Sequence, residues 1–334
     1  VKEIQKDLDD GIDTIGKKMT VCQLYAKQIR HRGNVRYNTK NGRKRLMKLL
    51  EEDKLGGCPI DSVKLSDAKE WAIRMKEKGI SYKTISNDKR SLKAAFYTAI
   101  QDDCIRKNPF DFQLNTVIED DTEPKVPLTP AQEESFLSFA QNDKVYQKYY
   151  DELIILLGTG LRISELCGLT DTDINFENRI INVDHQLLRS AETGYYIETP
   201  KTKSGIRQIP MSEKVYEAFN RVLKRRRGAK AVTIDGYSNF LFLNRDGYPK
   251  TATNYDGMFR GLAKKYNKYH EEALPKVMTP HTLRHTFCTN MANAGMNPKA
   301  LQYIMGHSNI TMTLNYYAHA TFDSAKAEML RIAA

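Results

Sequence analysis

LIILLGTGLRISELCGL, residues 153–169, is the stretch on which the fold turns. An unbroken apolar run of this kind reads as a helix buried over most of its surface. Gly158-Thr159-Gly160 ends it, glycine being the usual residue where a chain turns left-handed after a helix. Arg162 then sits in the turn before a second helix begins. An arginine directly after an apolar run has two readings. One is a buried ion pair, with Glu165 three residues on. The other is an anion clamp, because the planar guanidinium meets two phosphate oxygens at once.

The surrounding composition favours a polyanionic partner. The chain has 334 residues, long enough for two domains, and 40% of them are apolar, enough for each to bury a core. Lys and Arg number 52 against 41 Asp and Glu, a formal charge of +11. That excess points most simply to nucleic acid. No apolar run approaches the roughly eighteen residues of a membrane span. Cys22, Cys58, Cys104, Cys167 and Cys288 are scattered, with no CxxC pair. Such usage indicates a reducing compartment and argues against a disulfide framework or a zinc ribbon.

Towards the N terminus, from about Thr20 to Phe110, the pattern is helical. Leu46, Leu49 and Leu50 mark one amphipathic segment, with Arg43, Lys44, Arg45 and Lys48 on its polar side. Ser66 and Asp67 suit the start of a helix that carries Trp71, Ile73 and Met75 and stops at Gly79. A longer helix covers about 83–101, with Ile85, Leu92, Phe96 and Ile100 spaced as a buried stripe. Lys83, Lys89, Arg90 and Lys93 take its exposed positions, either as a solvated face or as a DNA contact. VIEDDTEPKV, residues 117–126, is acidic, contains a proline and has no periodicity; it reads as a linker. Residues 1–18 are polar and unlike a signal peptide.

Beyond the linker the pattern turns mixed α/β. Thr129 caps a helix and Pro130 takes its first position. RIINVDH (179–185) and YYIETPKTKSGIRQIP (195–210) alternate like strands, the second folding into a hairpin about Thr202–Gly205 with Lys201 and Lys203 in its turn. NFLFLNRDGYP (239–249) suggests a further short strand and a turn, and from Thr279 onward everything reads helical.

Two late stretches place charged and protic groups where a fold alone does not need them. In TPHTLRHTFCTNMANAG, 279–295, His281 and Arg284 share one helix face. In MGHSNITMTLNYYAHA, 305–320, Gly306 stops a short helix, His307 follows at a turn, and the next helix carries Tyr316 and Tyr317. His281, His285 and Cys288 have a spacing that zinc could use. A metalloprotease, however, needs Glu between the histidines, and Arg284 beside them repels a cation, so no metal is expected. DTDINFE, 171–177, starts like a calcium loop, but Phe176 stands where the sharp turn demands glycine.

Arg162 in TGLRISEL, Lys201, HTLR at 281–284, GHS at 306–308 and a tyrosine nine or ten residues after His307 resemble, in order and spacing, the tyrosine recombinase (phage integrase) family. The resemblance extends over 127–334, and within the family it is strongest to integrases of Gram-positive conjugative transposons. It implies a multidomain α and α+β protein. A helical, SAM-like core-binding domain would occupy 19–116 and a linker 117–126. A mixed α/β tyrosine recombinase catalytic domain with a C-terminal tail helix would follow at 127–334. Residues 1–18 would be the end of an N-terminal arm-binding region or a linker.

The implied activity is site-specific cutting and rejoining of DNA through a 3′-phosphotyrosine, without a cofactor, for excision and integration of a mobile element. Arg162 and Arg284 would hold the non-bridging phosphate oxygens, Lys201 would protonate the leaving 5′ oxygen, and His281 and His307 would donate hydrogen bonds or shuttle protons. Tyrosine, with a pKa near 10, needs such a positive pocket to act as a nucleophile. DNA contacts are expected from Arg43, Lys44, Arg45, Lys83, Lys89, Arg90, Lys93 and Lys203. The implied partners are double-stranded DNA, further copies of the chain (a dimer on one site, a tetramer in synapsis, passing through a Holliday junction) and an accessory protein for excision, all in the bacterial cytoplasm. The tail, 320–334, would dock on a neighbouring protomer or on its own domain.

The nucleophile has two candidates. Tyr316 has the interval from His307 usual in the family, whereas Tyr317 has the Tyr-x-His pattern with His319. Neighbours on a helix point about 100° apart, so one of them alone can face Arg162, and spacing favours Tyr316. A DNA-binding regulator with a silent site and a type IB topoisomerase are the rivals. The intact catalytic set speaks against the first, and joining of separate duplexes would exclude the second.

Overall fold

The computed structural model describes residues 16–33, 35–123, 126–200, 202–226, 232–317 and 329–330. Residues 1–15, Lys201 and the tail other than Met329 and Leu330, which are helical and exposed, lie outside these. The chain divides into two compact units, Val1–Pro124 and Lys125–Ala334.

The first unit is built from α1 (Val21–His31), α2 (Tyr37–Glu51), α3 (Leu65–Glu77) and α4 (Tyr82–Gln101). Polar side chains satisfy the orphan N–H groups at several helix starts. Thr20 Oγ1 accepts from the Gln23 N–H at 3.2 Å, and the Asp67 carboxylate accepts from the Lys64 N–H at 2.8 Å. Leu46, Leu50, Trp71, Met75, Ile85, Leu92 and Phe96 form the core. Ile100 stays half-exposed, and the smaller Ala99 is buried instead.

The chain after α4 folds back along it. Phe110 packs edge-on against Trp71, with ring centroids 5.8 Å apart, and lies 5.4 Å from Phe96. This return changes the basic face expected of α4. Lys89 Nζ donates to the Phe112 carbonyl at 2.5 Å and lies over the Phe112 ring, while Lys93 pairs with Asp111 at 2.5 Å. Neither is at an open position; Lys83 and Arg90 are.

The second unit begins with α5 (Pro130–Asn142), α6 (Tyr150–Thr159) and α7 (Ile163–Gly168). The strands β1 (Ile174–Asn175), β2 (Ile180–Val183), β3 (Gln186–Ser190), β4 (Gly194–Glu198) and β5 (Arg207–Pro210) follow. The remaining helices are α8 (Glu213–Arg226), α9 (Ala252–Tyr269), α10 (Pro280–Asn293), α11 (Pro298–Met305) and α12 (Thr311–Leu314). The apolar run that begins at Leu153 lies in α6. Its Leu153, Ile155 and Leu156 are fully buried, and the helix packs against α8 and α10.

Two antiparallel sheets form, ordered β1-β2-β5 and β3-β4. Ile181 lies opposite both Ile174 and Ile209, and Leu187 opposite Ile197. The hairpin expected about Thr202–Gly205 is therefore absent. β4 and β5 flank that stretch but belong to different sheets, and the hairpin turns instead after Ser190, whose Oγ accepts from the Thr193 N–H at 2.9 Å. Pro200 has no N–H to offer a ladder, and a 3-10 turn at Lys203–Gly205 redirects the chain onto β2. Residues 239–249 form isolated bridges, Thr170 to Phe240 and Leu243 to Pro249, rather than a strand. α12 ends before the tyrosines. They sit in successive turns, with Tyr316 N–H on the Thr313 carbonyl at 3.0 Å and Tyr317 N–H on that of Leu314 at 2.9 Å.

Candidate active site

Both readings of Arg162 have support. It precedes α7, and its Nη1 donates to Glu165 Oε1 at 2.7 Å, while its Nη2 donates to the Gly306 carbonyl at 2.9 Å. About a third of its side chain (32%) nevertheless stays accessible. Glu165 is buried, and Arg207, on β5, grips the same carboxylate at 2.9 and 3.1 Å. Arg207 Nε also donates to the Ile304 carbonyl at 2.6 Å. Arg284, on α10, donates to the carbonyls of Gly160 and Met305.

Three arginines thus meet the successive carbonyls of Ile304, Met305 and Gly306, where α11 ends. The last carbonyls of a helix lack helical partners and carry the negative end of its dipole, so this terminus gathers cations. Among the described residues Glu165 is the one carboxylate hydrogen-bonded to any of the three, which leaves a net positive pocket. Two glycines permit the geometry. Gly160 and Gly306 have φ of 63° and 60°, the left-handed region. A Cβ at Gly160 would lie 2.4 Å from Phe287, and one at Gly306 would lie 3.0 Å from the Ser204 carbonyl.

The charges follow from these contacts. Burial raises the Glu165 pKa, but the Arg207 hydrogen bonds and charge, then Arg162 and Arg284, hold it down at about 2. Burial, then Arg162, push Arg284 down to about 9 against the pull of Glu165, which leaves it charged at neutral pH. His307, buried just after α11, is pushed by burial and then by Arg284, Arg162 and Arg207 from its ordinary 6.5 to about 4, so it is neutral. Its Nδ1 lies 3.0 Å from the fully buried Thr313 hydroxyl.

The two tyrosines pack on one apolar cluster, built on Phe287, Cys288, Ala292, Leu301 and Met305, but their hydroxyls differ. Tyr316 Oη is hydrogen-bonded to His285 Nδ1, whereas Tyr317 Oη donates to the Met296 carbonyl at 2.5 Å. Burial and then Cys288 push the Tyr316 phenol up to about 12, against the pull of Arg284.

Arg162, Arg284 and His307 therefore converge. His281, one turn before the buried Arg284, is exposed. Lys201 lies outside the described residues, and Lys203 is exposed on the 3-10 turn. In the first unit Lys44, Lys83 and Arg90 are exposed, Arg43 is half-buried, and Arg45 is committed to the buried Asp88 at 2.5 Å. Sequence reading missed Arg207 and Thr313 and weighed His285 only as a zinc ligand. Arg207 had a signal: it falls on the inward register of a strand, in step with Ile209. Thr313 had none.

Among the described residues one group of three potential metal ligands comes close together, Asp173, Asp184 and His185. Both nitrogens of His185 already have partners, Asp184 at 2.6 Å and the Gly168 carbonyl at 2.7 Å. His281, His285 and Cys288 form no such group: Cys288 is buried, His281 is exposed, and His285 faces Tyr316.

Residues 127–324 match the phage integrase family. The chain belongs to that family. It is similar to the transposase from transposon Tn916 of Enterococcus faecalis and to that from Tn1545 of Streptococcus pneumoniae. Each is 68% identical over 332 residues, 99% of this chain and 82% of the relative. The tyrosine recombinase XerC of Bacillus subtilis is 26% identical over 265 residues, 79% of this chain and 78% of the relative. Among solved structures, the Tn1549 transposon integrase in complex with a circular intermediate DNA is 78% identical at a TM-score of 0.90, covering 94% of this chain and 99% of that one. A lambda integrase dimer bound to a core site, 16% identical at a TM-score of 0.60 over 89% of this chain and 76% of that one, shares the fold. This member of the family is a site-specific tyrosine recombinase.

Proposed function

We propose that this recombinase excises and integrates a mobile element by cutting double-stranded DNA with Tyr316. The observation that carries this reading is the set of arginines on the α11 terminus, next to a tyrosine held on the residue that follows Arg284. Each guanidinium has more N–H donors than its carbonyl and carboxylate bonds use, so Arg162 and Arg284 can take the non-bridging oxygens and stabilise the charge of the transition state. With the Thr313 hydroxyl donating to Nδ1, neutral His307 keeps its proton on Nε2 and offers it to the phosphate. His281 adds a second donor. Tyr316 Oη bonds to phosphorus, the bond to the 5′ oxygen breaks, and Lys201 supplies the proton for that oxygen. Attack by another 5′ hydroxyl reverses these steps and needs no energy source, metal or nucleotide.

The relatives support the wider reading: the Tn916 and Tn1545 transposases are named for transposons, and the Tn1549 integrase was solved on circular intermediate DNA and on transposon right-end DNA. Among the solved Tn1549 complexes, one carries an arginine-to-lysine substitution and another a tyrosine-to-phenylalanine substitution. The interval between those positions equals that from Arg162 to Tyr316 and is one residue shorter than that to Tyr317. The first unit serves as the core-binding domain and the second as the catalytic domain. Copies pair on one site and assemble as four in synapsis, an accessory protein biases excision, and the work is done in the cytoplasm.

The test is trapping on a nicked duplex. The natural chain and Tyr317→Phe form a covalent protein–DNA adduct, insensitive to EDTA, while Tyr316→Phe binds DNA and forms none. An adduct from Tyr316→Phe, or its loss in Tyr317→Phe, would transfer the role to Tyr317.

A further inference from the structure

Two adjacent phenols share one apolar bed, yet one hydroxyl ends on a backbone carbonyl and the other on an imidazole nitrogen. The difference is chemical. A carbonyl accepts a hydrogen bond and cannot take the proton, whereas a neutral imidazole nitrogen can. Cleavage requires that the attacking phenol lose its proton, and the Tyr316 phenol holds it tightly, its pKa pushed up to about 12 by burial and then Cys288. Neutral His307 is engaged with Thr313. The arginines, being cations without an acceptor site, can stabilise a phenolate but cannot collect the proton.

His285 stands on a rigid element. Its neighbours on α10, Leu283, Arg284, Thr286, Phe287 and Cys288, are all buried. Arg284 is tied to two helix ends, and the Thr286 hydroxyl donates to the Thr282 carbonyl at 2.9 Å while accepting from the Leu128 N–H at 2.9 Å. The imidazole thus meets Tyr316 with ring centroids 5.5 Å apart and cannot drift with the turn that bears the tyrosine.

We propose that His285 is a catalytic residue of this recombinase, whose Nδ1 holds the Tyr316 hydroxyl and accepts its proton as Oη attacks phosphorus. The O–H bond breaks as the Oη–P bond forms. The imidazole becomes an imidazolium, and the leaving 5′ oxygen takes its proton from a separate acid. In rejoining, the incoming 5′ hydroxyl gives its proton back to that same acid, now a base, as its oxygen bonds to phosphorus, the Oη–P bond breaks, and His285 returns its proton to the phenol. The assignment rests on Tyr316 being the nucleophile.

The experiment uses single-turnover cleavage of a nicked duplex by the full chain. His285→Asn places an oxygen near the former Nδ1, so it can hold the phenol but not take its proton. Cleavage should fall about 10²-fold, within the range of general-base catalysis, with DNA affinity unchanged. Replacing Tyr316 by the more acidic 3,5-difluorotyrosine should restore about 10-fold in His285→Asn, because a phenol that ionises on its own needs the base less. Should His285→Asn not fold, His285→Gln takes its place. Wild-type cleavage by the variant, or a loss that the acidic phenol does not rescue, would overturn the proposal. Cleavage by Tyr316→Phe would instead overturn the choice of nucleophile.

Discussion

The arginines around α11 and the lysines along α4 are both basic clusters, and they meet their partners in opposite ways. Along α4, Lys93 pairs with a carboxylate from the loop that folds back on the helix, and Lys89 is capped by a carbonyl and a ring of the same loop. An ion pair neutralises its cation, and one this exposed adds little stability. Around α11 the arginines are oriented chiefly by carbonyls, which fix a guanidinium without cancelling its charge. A carboxylate consumes positive charge, whereas a helix terminus holds it in place. Net charge therefore predicts a polyanionic partner for the whole chain without saying which cations can reach it.

The sharpest way to break this comparison is Arg162→Lys, which keeps the charge and loses the fork. Cleavage should fall by about 10²–10³-fold in single-turnover assays, with DNA affinity within a few-fold. Equal losses in both would reduce Arg162 to a general DNA contact. Arg207→Met should act through stability, because it leaves the buried Glu165 to Arg162 alone. Removing one partner of a buried pair costs about 3–5 kcal/mol, read as a fall in the melting temperature of the second unit. An unchanged melting temperature would mean that Arg162 suffices.

Acid should loosen the same pocket in two stages. His307 has a depressed pKa in the fold, so below its ordinary 6.5 the unfolded chain takes up a proton that the native state refuses until about 4, and stability falls across that window. Glu165, also depressed, extends the loss from its ordinary 4.5 down to about 2. His307→Gln should flatten the upper stage in melting curves taken between pH 7 and 4. An unaltered profile would show that His307 is not the group titrating. The smallest effects belong to α4. Neutralising Lys83 and Arg90 should reduce the salt slope of DNA binding by about 0.9 for each phosphate they neutralise in the complex. Neutralising Lys89 and Lys93 should leave the slope as it is and cost about 1 kcal/mol or less of stability. A lower slope from the second pair would mean that DNA competes successfully with Asp111.

The sequence by itself determined the features that act over a few residues. Thr20, Thr129 and Asp67 start helices because a side-chain oxygen reaches an N–H three positions away. Gly160 and Gly306 end helices because they take the left-handed turn. Arg162, Arg284 and His307 could be named because each sits beside such a signal. Tertiary structure decided the rest. β4 and β5 were separated by partners that no local pattern names. Lys89 and Lys93 were capped by a loop that returns from beyond the helix end. Arg207 and His285 acquired their roles from groups far along the chain: Arg207 reaches Ile304 across 97 positions, and His285 meets Tyr316 across 31. Caps and turns are settled by covalent neighbours, whereas the fate of a charge depends on which acceptor the packed chain brings to it, and that is fixed only once the core has formed.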